Sequence, residues 1–89
     1  SDLGAWPAWA EQQSPDARGN RRRGETLALE SDDCLLYSED GGLLAVLGVK
    51  DLIVVRVGDA TLVCAKDRAQ EIRRLVEEGK LDASMLRYF

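Results

Sequence analysis

Between Gly24 and Ala65 the chain is cut into five short β-prone runs, and this segmentation limits the available folds more than any other feature. The runs are Thr26-Leu27-Ala28-Leu29, Cys34-Leu35-Leu36-Tyr37, Leu43-Leu44-Ala45-Val46-Leu47, Leu52-Ile53-Val54-Val55-Arg56-Val57 and Ala60-Thr61-Leu62-Val63-Cys64. Branched and apolar residues of this kind suit a pleated backbone. Turn formers stand between them: Ser31-Asp32-Asp33, Glu39-Asp40-Gly41-Gly42, Gly48-Val49-Lys50-Asp51 and Gly58-Asp59. Strand starts about nine residues apart predict an all-β sandwich, a barrel or a solenoid. Asp33 and Asp51 lie 18 residues apart and each opens an apolar strand. That interval is about one coil of a hexapeptide-type β-helix. Glu39-Asp40-Gly41-Gly42 also reads as a hairpin turn, which a β-helix does not need, so a solenoid and a hairpin-based sheet both stand open.

After Ala65 the apolar period changes. Ala69, Ile72, Leu75 and Val76 fall on one face of a helix expected over residues 66–79, with Asp67 as its N-cap and Gly79 closing its end in a left-handed conformation. A second short helix is expected from Asp82, carrying Met85, Leu86, Tyr88 and Phe89, and so apolar a tail should pack on this domain or on a partner. At the other end, Pro7 suits the first turn of a short helix holding Trp6, Ala8, Trp9 and Ala10. Ser14 to Asn20 reads as a loop, and Arg21-Arg22-Arg23 as a solvated turn.

Composition excludes several function classes. Eighty-nine residues make one small domain. A net charge of -4, from 12 basic and 16 acidic residues, argues against a nucleic-acid partner. Cys34 and Cys64 have no CxxC partner and histidine is absent, so neither a zinc site nor a Cys-His nucleophile is expected. Two reduced cysteines acting as small core residues point to the cytoplasm. Apolar runs of only a few residues give no membrane span. P-loop, GxGxxG, Ser-His-Asp and paired-carboxylate motifs are all missing.

The best candidate for chemistry is Asp2, a carboxylate two residues before Gly4, where backbone can approach a ligand closely. A hard oxygen donor suits magnesium; the competing reading is a helix cap. Trp6 and Trp9 suit either stacking on a base or sugar, or helix packing. Lys66 and Arg68 are weak candidates for contacts to a polyanion. If Asp2 belongs to a site, the rest of that site lies upstream, and the chain reads as the tail of a larger enzyme.

Taken in order, Ser1-Asp2-Leu3-Gly4-Ala5-Trp6, Gly19-Asn20, Arg23-Gly24-Glu25, an Asp-rich turn, Leu36-Tyr37-Ser38, Val49-Lys50-Asp51-Leu52-Ile53-Val54-Val55, Asp59-Ala60, Leu62-Val63 and Lys66-Asp67-Arg68-Ala69-Gln70-Glu71-Ile72 resemble the C-terminal third of bacterial mannose-1-phosphate guanylyltransferases, over residues 1 to about 78. The resemblance implies a mainly β fold with flanking helices: short strands in a small left-handed β-helix-like or β-solenoid domain, capped by a C-terminal α-helix. It implies that residues 1–20 end the catalytic domain, 21–65 form the β-rich domain, and 66–89 the helix and tail. It further implies a parent that joins GTP and mannose-1-phosphate with magnesium, a homo-oligomer, most simply a dimer, and the rest of the catalytic domain as partner. Asp2 matches the metal-holding position, Gly4 and Trp6 the substrate side, and Asp51, Asp67, Arg68 and Gln70 a structural motif. The segment itself would be structural, lending one carboxylate to the active site. Two alternatives remain, an independent β-rich interaction module and the tail of a nucleotidyltransferase for another sugar.

Overall fold

The computed structural model describes residues 9–89, apart from the side chains of Trp9 and Glu11. A short helix α1 (Trp9–Gln12) precedes six strands, β1 (Arg21–Arg23), β2 (Thr26–Leu29), β3 (Leu35–Ser38), β4 (Leu44–Leu47), β5 (Leu52–Val57) and β6 (Ala60–Ala65). A 3₁₀ segment Lys66–Glu71, helix α2 (Ile72–Lys80) and a second 3₁₀ segment Ala83–Tyr88 complete the chain. The strands coil. β1, β3 and β5 lie parallel in one sheet, which β6 ends antiparallel; β2 and β4 lie parallel in a second. A third wall is marked by the parallel bridge between Asp32 and Lys50.

Register explains why an 18-residue recurrence is visible. Thr26 sits beside Leu44, Leu35 beside Ile53 and Asp32 beside Lys50, each a step of 18. Arg21 sits beside Leu35, a step of only 14. The difference of four is an excursion at one corner, where residues 38–43 replace the pair 24 and 25 of the coil before. The same steps run down the corners as backbone conformation. Gly19, Asp33 and Asp51 form one left-handed column (φ 80°, 54° and 55°), and Glu30 and Gly48 another (φ 48° and 68°). Asp is among the few side-chain-bearing residues that tolerate this region well.

Alternation then sorts the side chains. Cys34, Leu36, Leu44 and Val54 fill the lumen. Ile53, Val55, Val57 and Leu62 face outward and are covered by Ile72 of α2, with Ala69 and Val76 beside it. β5 is therefore buried on both faces, and its unbroken apolar run Ile53-Val54-Val55 is the usual mark of such a strand. Asn20 closes the lumen at the first coil. Its Nδ2 donates to Ser31 O at 2.8 Å and its Oδ1 accepts from Cys34 N at 2.9 Å.

Several sequence expectations need correction. Arg21-Arg22-Arg23 is not a solvated turn but strand β1, because pairing with β3 outweighs the local charge. Glu39-Asp40-Gly41-Gly42 is not a hairpin: β3 and β4 lie in different sheets, and these residues round a corner. The hairpin is Gly58-Asp59, between β5 and β6. Asp67 is not the N-cap of an α-helix. A 3₁₀ segment starts after Ala65 with no side-chain cap, kinks at Arg68, and the α-helix begins only at Ile72. Gly79 does not close α2 either. It is buried one residue before the end, where a Cβ would collide with the Phe89 ring, so glycine there admits the C-terminal tail. The expected helix from Asp82 is present in 3₁₀ form, capped by the Asp82 carboxylate, which accepts from Ser84 N at 2.9 Å.

Candidate functional site

Asp2, Gly4 and Trp6 lie outside the described residues, as does the Trp9 side chain. Among the described residues, no three His, Cys, Asp or Glu side chains are grouped to hold a metal ion. The structural-motif residues are all described. Asp51 takes its corner in the left-handed column, and its carbonyl accepts from Lys66 N at 2.8 Å. Asp67, Arg68 and Gln70 lie in the 3₁₀ segment that carries the chain from β6 toward α2. Lys66 and Arg68, the weak candidates for polyanion contacts, both have partners within the chain. Lys66 Nζ donates to Asp33 O at 2.9 Å, and Arg68 grips Glu71 through Nε and Nη2 at 2.7 and 2.8 Å. Arg74 Nη1 adds a third bond to Glu71 at 2.8 Å. The Arg68 guanidinium, helped by Arg74, lowers the Glu71 carboxyl from 4.5 to about 2. Glu71 in turn raises Arg68.

Near the start of the coil, Asp16 accepts from the N–H groups of Arg18 and Asn20 at 2.9 and 3.0 Å, with Arg22 at 3.4 Å. Burial pushes its carboxyl up, but these donors and the Arg22 charge outweigh it and hold it below the usual range. This knot shapes the loop 14–20 and leaves a polar hollow of about 330 Å³ beside Asn20 and Thr26.

Two surfaces remain that the coil leaves uncovered. The outward residues of β2 and β4 are Leu27, Leu29, Ala45 and Leu47, apolar without exception and exposed. The corresponding face of the first sheet is covered by α2; this one has no cover among the described residues. The second surface is a groove of about 640 Å³ between β6 and α2, with Val63, Leu75 and Leu81 exposed along it. Neither was read from the sequence, although the alternation in Thr26-Leu27-Ala28-Leu29 carries apolar residues at both parities and so signals two apolar faces.

Comparison with known proteins identifies the class. The model of the MannoseP isomerase/GMP-like beta-helix domain matches residues 24–78, and the chain belongs to this family. Particular relatives are mannose-1-phosphate guanylyltransferases. One from Salmonella montevideo is 40% identical over 82 residues, covering 92% of this chain and 17% of the relative. The alginate biosynthesis protein AlgA of Pseudomonas aeruginosa is 35% identical over 83 residues, covering 93% of this chain and 17% of its own length. A solved structure from Thermus thermophilus, described as a mannose-1-phosphate geranyltransferase, superimposes with a TM-score of 0.68 at 37% identity, over 82% of this chain and 22% of that one. The chain thus spans about a sixth of the length of the curated relatives it matches.

Proposed function

We infer that the chain is the β-helix part of a sugar-1-phosphate nucleotidyltransferase that joins GTP and mannose-1-phosphate into GDP-mannose and releases pyrophosphate. The observation that carries this reading is the similarity to mannose-1-phosphate guanylyltransferases along 92% of the chain. Nucleotidyl transfer needs a metal ion to offset charge at the transferred phosphate and the leaving pyrophosphate, the role assigned here to magnesium. The described residues do not hold one, since no acidic cluster of the needed size is present among them. Asp2 alone supplies a single hard oxygen donor, so the remaining ligands belong to the rest of the parent. By this reading the segment performs no catalytic step of its own. It presents Asp2 and docks on the catalytic part, for which the Leu27, Leu29 and Leu47 face, exposed among the described residues, offers an apolar seat. A cytoplasmic setting accords with the two unbridged cysteines. Among the described residues, no helix is long and apolar enough to cross a membrane.

The test uses the whole parent protein and a panel of nucleoside triphosphates with mannose-1-phosphate and glucose-1-phosphate, reading pyrophosphate release. GTP with mannose-1-phosphate should be the preferred pair. Absence of transfer with every pair would remove the enzymatic reading, and preference for another sugar would replace mannose.

A further inference from the structure

The four-stranded sheet ends differently at its two edges. β1 carries three consecutive arginines, the kind of charge that keeps an edge strand from pairing further. β6, the opposite edge, runs from Ala60 to Ala65 with no charge, proline or glycine. Its register says which peptide groups point outward. Lys66 N, just beyond β6, donates to Asp51 O at 2.8 Å, and in an antiparallel ladder hydrogen-bonded pairs alternate with non-bonded ones. The bonded pairs are therefore Cys64 with Ile53, Leu62 with Val55 and Ala60 with Val57. Thr61 and Val63 turn both N–H and C=O away from β5, and Ala65 turns its N–H the same way. These outward groups have no backbone partner from another strand among the described residues.

Beside this edge runs the groove under α2, with Val63, Leu75 and Leu81 exposed along it. A strand added to β6 would lie about 4.8 Å from it, along that groove. The unpaired charge of the groove is acidic. Arg68 and Arg74 both line it, but Glu71 holds them within the chain. Glu77 and Glu78, also on its wall, have no cation partner among the described residues. The surface fits an extended segment that is mostly apolar and carries a lysine or arginine.

We propose that β6 is completed by a fifth strand, an apolar segment with a basic side chain contributed by a part of the parent polypeptide outside these 89 residues. The chain spans about a sixth of the length of its curated relatives, which leaves ample sequence to supply such a segment. Main-chain bonds to Thr61, Val63 and Ala65 hold the strand, as in other cases of strand addition to an open edge. Its apolar side chains cover Val63 and Leu75, and its cation meets Glu77 and Glu78. A segment of the same polypeptide meets the edge at high effective concentration, so few bonds are needed. The proposal rests on the reading of the chain as part of a longer parent, but not on that parent's reaction, so pyrophosphate release and strand addition fail separately.

Hydrogen exchange of the whole parent protein, read amide by amide, tests it. The amides of Thr61, Val63 and Ala65 should exchange as slowly as those of Leu62 and Cys64, at least about 100-fold slower than unbonded amides, and equally slowly on dilution. Fast exchange at these three, alternating with slow exchange at Leu62 and Cys64, would overturn the proposal. Protection lost on dilution would overturn it too, because the edge would then belong to a second chain. Val63→Pro removes one outward donor at an edge position that tolerates proline, and should speed Thr61 and Ala65 at least about tenfold while Leu62 and Cys64 stay protected. Glu77→Lys with Glu78→Lys, both exposed on α2, leaves β6 untouched and should speed the three outward amides about tenfold. Outward amides as protected in both variants as in the wild type would also overturn the proposal.

Discussion

Asn20 holds the first coil shut with two hydrogen bonds, one to the Ser31 carbonyl and one from the Cys34 N–H, at a site only 2% exposed. A buried amide without partners costs about 1–3 kcal/mol, and here truncation strands the two backbone groups instead. Asn20→Ala should therefore lower stability by about 2–3 kcal/mol, read as a fall in the urea midpoint with little change in slope; a loss under about 0.5 kcal/mol would show that water replaces the side chain freely. Nothing in the sequence marks Asn20 for this role, because it stands among turn formers and looks like another of them. Asp33 and Asp51 were legible for the opposite reason. Their recurrence is the register of the coil itself, and the left-handed backbone each adopts is one that Asp accepts. Glu30 adopts the same conformation (φ 48°) where Gly48 stands one coil later, an unfavourable choice that only the column reveals.

At the scale of elements, the strands were readable and their partners were not. β2 and β5 fall where branched and apolar residues place them, β4 and β6 differ by a residue at one end, and β3 is shifted by one residue. β1 was hidden because three arginines have no strand signature, and its pairing depends on β3, 14 residues on. Gly41-Gly42 and Gly58-Asp59 have similar turn chemistry, yet one turns a corner and the other a hairpin. Local residues do not record which strand comes next to which. The link after β6 shows the same limit: a capping Asp67 was expected, while the first turn is organised by Glu71 between Arg68 and Arg74. That arrangement has a pH signature. The Glu71 carboxyl is lowered in the folded chain, so its contribution to stability is present above 4.5 and is lost as pH falls toward about 2. Glu71→Gln should accordingly lower the thermal midpoint at neutral pH, and the gap from wild type should close between pH 4.5 and 2. A gap that persists at pH 2 would assign the effect to packing.

For the whole molecule, the architecture follows from two apolar faces on one sheet and two on the other. The first sheet has the lumen on one side and α2 on the other; the second has the lumen and a row of leucines with no cover among the described residues. This asymmetry accords with the docking proposed above, and the chain spans about a sixth of the length of its curated relatives. The 18-residue step of the coil was readable from spacing, but the choice of a coil over a hairpin-based sheet came from the resemblance. The candidate site was not readable, because the role proposed for Asp2 came from resemblance alone, and Asp2 lies outside the described residues. The open β6 edge was written in the uncharged run 60–65, but becoming an edge is a property of strand order.

The central claim is that this segment serves a guanylyltransferase through one carboxylate and a scaffold. Its most direct test is the rate of GDP-mannose formation by the parent protein carrying Asp2→Asn. The expected result is a fall in kcat of roughly 100-fold with an unchanged fold, the scale on which removing one charge-stabilising contact in an active site acts. An Asp2→Asn protein that makes GDP-mannose at the wild-type rate would contradict the claim.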